Sequence, residues 1–458
     1  MAERSATLEK TIEALTQQKK YSALRDILVT MNPTDIAFLF DDLEEHTLPL
    51  LFRLLPKDLA AETFVEMEAE SQELLIRGFS DSELKEVVDE LYVDDAVDLV
   101  EEMPANVVKR ILRQADAETR KLINDILKYP EDSAGSIMTT EFIELRPSMT
   151  VADAIKNIRR NGLDSETINT CYIVDEGKHL CGTISIRDLI LSEDDRILSD
   201  IMEENVISVS TMTDQEEAIS VISKYNFTVL PVVDGETRLV GIITVDDAMD
   251  VMEDEATEDI EIMGGVTPVD KPYLRTGAFQ LWKARIPWLM LLMIGATFTG
   301  IILNHFENAL ARVTALTLFI PMLMDTGGNS GSQASVTVIR ALSLGDIEFK
   351  DILAVIWKEI RVAVLCGISL AAVAFLKIIL IDRLLMHNED VTVLIAALVC
   401  ITMALVVLMA KIIGCTLPML ADKLGLDPAV MSSPFITTIV DALSLLIYFA
   451  IASRILAL

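Results

Sequence analysis

The chain has 458 residues, with 38 Lys and Arg against 71 Asp and Glu, a formal charge of −33, and yet 51% hydrophobic residues. Residues 271–458 hold 12 acids and 14 bases, so a net charge of −35 falls on residues 1–270. That acidic half lacks the clustered Lys and Arg that phosphate recognition requires, which excludes a nucleic-acid binder, and its sustained apolar periodicity excludes a disordered chain.

The N-terminus, MAERSATLEKTIEALTQQKK, has no apolar stretch of the signal-peptide kind, so the acidic half is expected to stay in the cytoplasm. Five cysteines (Cys171, Cys181, Cys366, Cys400 and Cys415) show neither CxxC nor metal-ligand spacing, which points to reduced thiols. Residues 1–131 read as an all-α domain of short helices. Asn32-Pro33-Thr34-Asp35, Leu55-Pro56-Lys57-Asp58 and Ser80-Asp81-Ser82-Glu83 each combine helix-start chemistry with a following apolar stripe. Their period of about 23–25 residues predicts a small helical stack. Asp94, Asp95 and Asp98 add a dense acid patch near its end.

Residues 132–260 contain a second repeat. Ile137-Met138 recurs as Ile201-Met202, Met149-Thr150 as Met212-Thr213, and both copies close on Gly-x-x-[Ser/Thr]-x-x-Asp: Gly182, Ser185 and Asp188, then Gly241, Thr244 and Asp247. The expected β-α-β-β-α order resembles a tandem pair of CBS domains, an α/β module. That resemblance implies an adenine nucleotide as ligand, with the Ser/Thr and Asp on its ribose hydroxyls.

A connector at about 256–280 leads to a membrane domain, 281–458, with five spans expected near 286–304, 313–342, 361–381, 391–418 and 431–455. Lys271, Arg275, Lys283 and Arg285 precede the first span. Arg340, Lys350, Lys358 and Arg361 separate the second from the third, and Lys411 and Lys423 are assigned to the fourth-to-fifth turn. This bias places the N-terminal half inside and the C-terminus outside.

Two spans carry polar groups that lipid disfavours. The second reads PMLMDTGGNSGSQASVTVIRAL, with Asp325, Asn329, Ser330, Ser332 and Gln333 around Gly327, Gly328 and Gly331. Each glycine weakens a helix by about 1 kcal/mol relative to Ala, and the expectation is backbone carbonyls turned toward a watery path. The fifth carries Asp441, at an insertion cost of about 2.5–3.5 kcal/mol, which marks a functional site. Pro434 is expected to break that helix and free carbonyls near Ser433 and Thr437. Carboxylates, carbonyls and hydroxyls are hard donors that suit Mg²⁺, Ca²⁺ or Mn²⁺, and a hydrated Mg²⁺ needs few protein ligands. The competing reading pairs Asp441 with Lys411.

The run PMLMDTGGNSGSQAS, the tandem CBS pair, the acidic N-terminal helices and DPAVMSSPFITTIVDALSLLIY together resemble the MgtE family of bacterial magnesium channels over nearly the whole chain. The resemblance implies a homodimer in the plasma membrane, with a pore on the two-fold axis lined by the second and fifth spans. It places the pore metal at Asp441, with Gly328 and Thr437 as carbonyl donors near Asp325; Asn329 and Ser433 complete the candidate set. Where a family pattern has Ser-Asn-Pro, this chain has Ser432-Ser433-Pro434, and Asp325 stands where some members carry Gly. The implied cytosolic Mg²⁺ sensor comprises Asp94 and Asp98, then Asp214, Glu216, Asp246, Asp247 and Asp250 of the second CBS copy. Glu255, Glu258 and Asp259 of the connector and Asp427 of the membrane half complete it, while one family acid position falls on Asn226. ATP or another adenine nucleotide would involve Arg187, Asp188 and Phe227.

Electrostatics then supplies a gating mechanism: like charges splay the acidic half, and divalent cations bridging them stabilise only the compact arrangement and close the pore. A counter-ion-coupled carrier of Mg²⁺, Co²⁺ or Mn²⁺ is the alternative, although five spans without a repeat are unlike repeat-built transporters. An enzyme would use Asp325-Thr326-Gly327 as an aspartic-protease triplet with Asp441. A membrane-tethered nucleotide sensor would leave Asp441 without a role.

Overall fold

The computed structural model describes residues 11–456 other than 13, 42, 44, 45, 164, 270–272, 275 and 432, with backbone alone at 308 and 309. Lys271, Arg275 and Ser432 therefore lie outside the described residues. The chain divides into two compact units, Met1–Met252 and Glu253–Leu458.

From Tyr21 onward the first unit carries the short helices α1 (Tyr21–Leu28), α2 (Pro33–Asp41), α3 (Leu48–Phe52), α4 (Lys57–Val65), α5 (Ala69–Gly78), α6 (Asp81–Val88), α7 (Val93–Glu102), α8 (Ala105–Gln114) and α9 (Ala117–Ile126). The three repeated segments start α2, α4 and α6, which stack in succession with α8, while α3 packs on α5 and α7 on α9. The 23–25-residue period is thus one helix pair. Each start has a local cause. The Thr34 N–H donates to Asn32 Oδ1 (3.1 Å), Pro56 precedes α4 in extended conformation, and Ser80 and Glu83 form a reciprocal capping box. Leu24, Ile36, Phe40, Leu51, Phe64 and Leu75 fill the core beneath.

Two β-α-β-β-α copies follow: β1 (Phe142–Leu145), α10 (Val151–Asn161), β2 (Thr167–Val174), β3 (Leu180–Ser185) and α11 (Ile186–Leu191), then β4 (Val209–Ser210), α12 (Gln215–Tyr225), β5 (Val229–Val233), β6 (Leu239–Thr244) and α13 (Val245–Met263). In each, the first strand lies parallel to the second and the third antiparallel to it. The lead-in of each copy is held by the other copy's sheet: Thr139 exchanges hydrogen bonds with Ile242, and Glu203 with Thr183. This crossing explains the repeat's glycines. A Cβ at Gly241 would lie 2.5 Å from Met138 Sδ, and one at Gly182 would lie 2.8 Å from Met202 Sδ. The two amphipathic helices start differently. Thr150 caps α10, whereas Asp214 caps α12 and Thr213 instead accepts from the Ser210 N–H (3.1 Å). The second copy's last helix and the start of the connector are one element, because α13 runs unbroken to Met263 before a left-handed turn at Gly265 (φ +71°).

The second unit holds α14 (Ala278–His305), α15 (Glu307–Arg312), α16 (Ile320–Ser343), α17 (Ile352–Lys377), α18 (Val393–Lys423) and α19 (Ser433–Ile455). Among the described residues, four stretches are long and apolar enough to cross a membrane: Ala278–His305, Phe349–Leu385, Val393–Lys423 and Pro428–Ile455. The remaining expected span, the second along the chain, is α16. Its 24 residues reach about 36 Å, but the Asp-Thr-Gly-Gly-Asn-Ser-Gly-Ser-Gln run dilutes its apolar character. The most enclosed helix, α18, packs on α16, α17 and α19, and α14 leans on α19, where a Cβ at Gly295 would meet Thr438 Cγ2 at 2.6 Å. The buried Tyr448 hydroxyl donates to the Leu316 carbonyl (3.0 Å), which fixes α19 against the turn before α16.

Lys411 departs from expectation. It lies twelve residues before the end of α18, only 5% exposed, and so belongs to the helix interior rather than to the fourth-to-fifth turn.

Candidate ion path and acidic sensor

The glycine-rich run of α16 is an unbroken helix, which corrects the expectation of carbonyls turned to a lumen. The glycines serve close packing instead. A Cβ on Gly327 would sit 2.7 Å from Val406 and 3.0 Å from Val440, one on Gly331 2.8 Å from Ile436, and one on Gly414 of α18 2.2 Å from the Gly331 carbonyl oxygen. α16 and α18 therefore meet at backbone distance with α19 side chains packed on the same glycines, an arrangement that membrane helices favour because dispersion is their main source of association.

Hydroxyls complete the join. Ser433 Oγ donates to Ser332 Oγ (2.9 Å), Ser332 Oγ donates to the Gly328 carbonyl (2.9 Å), and Ser335 Oγ donates to the Met431 carbonyl (2.8 Å). Pro434 does not break a helix: it lies in the first turn of α19, where its missing N–H costs nothing. The carbonyls expected to be freed near Ser433 and Thr437 lie on the opening turns of a regular helix. The Pro434 carbonyl instead accepts the hydroxyls of Thr437 and Thr438, both at 2.9 Å.

One face collects the pore candidates. Thr437 packs on Gly328, whose Cβ would lie 2.9 Å from Thr437 Cγ2. Half-buried Asp441 is one turn further along α19, within electrostatic reach of Asp325. Asp325, Asn329 and Gln333 recur every four residues on α16 and are all exposed, a polar stripe that the chain's own helices leave uncovered. Lys411 is not the partner of Asp441; its ammonium lies 3.6 Å from Glu359 of α17. Asp325-Thr326-Gly327 is helical, not the strand-and-loop setting of an aspartic protease.

The acid patch gains members that the sequence did not single out. Asp94 and Asp95 occupy the first turn of α7, where the Val93 N–H donates to Glu141 Oε2 (3.0 Å). Asp94 is 8% exposed, and among the described residues its Oδ1 has no hydrogen-bond partner. Burial, then repulsion from Asp95, Asp247 and Glu166, pushes its carboxyl up to about 9. Partial desolvation and neighbouring acids raise half-buried Asp95 and the more exposed Asp98 to about 7 and Glu166 to about 8, and burial also raises Asp247. Asp246 is among the acids that repel Glu166. Nothing in the pattern around Glu141 or Glu166 announces this role, since both simply precede strands.

The remaining sensor candidates are dispersed. Asp214 accepts from the Glu216 N–H (2.9 Å) as the α12 cap, with Glu216 exposed in the first turn. Asp250, Glu255 and Glu258 lie along α13. Asp259 and Asp427 do meet electrostatically: burial first, then Asp427, raises Asp259, with Arg340 opposing. Asp427 Oδ1 also accepts from the Ala429 N–H (2.7 Å). Asn226 stands where a family acid is expected because it ends α12 at φ +54°, a left-handed position that Asn tolerates. At the nucleotide candidates, Ser185 Oγ donates to Asp188 Oδ2 (2.6 Å), Arg187 is exposed, and Phe227 stacks on Tyr225 at 5.5 Å. Among the described residues, no three His, Cys, Asp or Glu side chains converge as a closed metal centre.

A polar-faced membrane bundle, a CBS pair and a stack of acidic helices in one chain define an ion-handling membrane protein with a regulatory half. Comparison with known proteins gives the class: the profile described as divalent cation transporter matches residues 320–451, MgtE intracellular N domain matches 31–132, and CBS domain matches 134–193 and 198–254. The magnesium transporter MgtE of Thermus thermophilus is 38% identical over 98% of both chains, and that of Bacillus subtilis is 33% identical over 96% of this chain and 95% of the relative. A crystal structure described as the cytosolic domain of the Mg²⁺ channel MgtE in complex with ATP is similar at a TM-score of 0.51 and 37% identity, covering 53% of this chain and 99% of that one. This chain belongs to the MgtE family of magnesium transporters.

Proposed function

We propose that the chain is a Mg²⁺-selective channel of the plasma membrane that mediates magnesium uptake, with α16 and α19 of two copies forming its pore. The observation that carries this reading is the uncovered stripe Asp325–Asn329–Gln333 beside half-buried Asp441. Polar groups in a membrane helix face protein or water rather than lipid, and a second copy supplies both. Two-fold symmetry then sets two Asp441 carboxylates across one path. Such a pair, with Asn329, Ser433, Thr437 and the Gly328 backbone nearby, suits a divalent ion that keeps most of its water.

The cytosolic acids close the pore. Asp94 is buried, Asp95, Glu141, Glu166 and Asp247 are half-buried beside it, and Asp98 and Asp246 stand exposed at the edge of the same cluster, so the orphaned Asp94 Oδ1 supports a cation as the missing partner. Hydrated Mg²⁺ bridging them stabilises only the compact arrangement, which gives negative feedback on uptake. Asp214, Glu216 and Asp250, with Glu255, Glu258 and the Asp259–Asp427 pair near the membrane half, extend the same response. The N-terminal half is cytoplasmic, the C-terminus is outside, and an adenine nucleotide at Arg187, Asp188 and Phe227 is a second cytosolic ligand.

The test is growth of a magnesium-transport-deficient strain in limiting Mg²⁺. The native chain restores growth and Asp441→Ala does not, at equal membrane abundance. Full rescue by Asp441→Ala would remove the pore assignment.

A further inference from the structure

One charged pair in the bundle has no part in the path or sensor described above. Lys411 of α18 is 5% exposed, and its ammonium lies 3.6 Å from the Glu359 carboxylate of α17. Glu359 Oε2 is buried without a hydrogen-bond partner, so the contact is electrostatic and Lys411 is its only charged neighbour within ion-pair distance among the described residues. Buried charges in a membrane bundle are costly enough to imply a use. A pair of this kind is weak evidence for stability, because apolar replacements of similar volume are often neutral.

The position of the pair suggests the use. Ala410, the residue before Lys411, presents its carbonyl oxygen 3.2 Å from where a Cβ on Gly331 would stand, and Gly414, almost one turn later, touches the Gly331 carbonyl. Lys411 therefore sits on the helix that backs the polar run of α16 at backbone distance. A fixed positive charge there acts on any cation in that path through a low-dielectric medium, where Coulomb terms are large and a divalent ion's interaction energy is twice that of a monovalent one.

We propose that Glu359 is a counter-charge for the ion path: it neutralises Lys411, which otherwise places an unscreened positive charge one helix behind the conducting face. Glu359 touches no permeating ion and acts only through Lys411, so it is a positioning residue for the field of the pore. The inference rests on the pore reading given above. It predicts that cation flux follows the sign of the charge left behind, whereas a purely structural pair makes both single changes equally harmful.

The experiment reconstitutes full-length protein in liposomes and measures Mg²⁺ influx per folded protein for Glu359→Gln, Lys411→Met and Glu359→Leu/Lys411→Met. Glu359→Gln, which leaves the lysine alone, lowers influx about tenfold or more. Lys411→Met stays within about twofold of native or rises, and the double variant returns to native influx because the net charge is again zero. Thermal unfolding of each variant separates misfolding from field effects. Equal losses in the two single variants at equal folding overturn the proposal, as does native influx in Glu359→Gln. Absence of Mg²⁺ influx in the native protein would instead remove the pore reading on which it rests. If Glu359→Gln does not fold, the decision passes to the double variant: influx below a tenth of native overturns the proposal and native influx upholds it.

Discussion

Replacing Asp94 by Asn is expected to stabilise the acidic unit in the absence of divalent cations. In the compact state the Asp94 carboxyl is pushed to about 9 from an ordinary 3.8, so at pH 7 it stays protonated there and ionises when the unit opens. Holding that proton over roughly three pH units costs about 4 kcal/mol at about 1.4 kcal/mol per unit. Asn has no proton to retain, and its amide is a donor facing Asp95, Asp247 and Glu166. Against this stand imperfect hydrogen bonds for the new amide, about 1–2 kcal/mol, leaving a net gain of about 2–3 kcal/mol. Limited proteolysis of full-length protein in detergent reads the gain directly, because cleavage tracks the free energy of opening. In Mg²⁺-free buffer Asp94→Asn is cut about thirtyfold more slowly than the native chain. Added Mg²⁺ protects the native chain strongly and the variant little. Equal or faster cleavage of Asp94→Asn without Mg²⁺ would refute the claim that burying Asp94 among these acids favours opening of the unit.

The pH response has a fixed sign. Asp94, Asp95, Asp98 and Glu166 are all raised in the fold, so the folded state binds more protons than the unfolded state between about pH 4 and 9, and stability falls as pH rises through that window. Urea midpoints in Mg²⁺-free buffer decline from about pH 5 to 9 and flatten when Mg²⁺ is added; a rising trend would contradict the burial of these acids. In the membrane unit, Gly414→Ala drives a methyl into the Gly331 carbonyl and lowers stability by about 1–3 kcal/mol or more, seen as a lower melting temperature. Gly300→Ala, with open space around it, serves as the silent control. In the CBS pair, Gly241→Ala collides with Met138 Sδ; the unit melts earlier, and Met138→Ala in the same chain restores part of the loss.

Much of this architecture was legible because its signals are local. Helix-start chemistry located α2, α4 and α6, and the doubled Gly-x-x-[Ser/Thr]-x-x-Asp endings located β3 with α11 and β6 with α13. What stayed hidden depends on who packs against whom. The glycines of α16 read as helix-weakening, and only the neighbours at Gly331 and Gly414 reveal a close crossing. Pro434 signals a disrupted helix or a helix start equally well, and its place in the first turn decides for the start. Glu141 and Glu166 precede ordinary strands, and only tertiary approach to α7 makes them part of an acid cluster. Lys411 counted as a loop cation until its burial against Glu359 moved it inside α18.

In the proposed mechanism one ion both passes Asp441 and closes its own path through the acidic half. The most direct test is a current recording on reconstituted native protein, with Mg²⁺ carrying charge from one side while Mg²⁺ on the side of the N-terminal unit is raised from micromolar to millimolar. Mg²⁺ currents are expected to vanish as that concentration rises and to persist under the same rise when Asp94, Asp98 and Asp247 are all changed to Asn. Currents that ignore Mg²⁺ on that side in the native protein would contradict it.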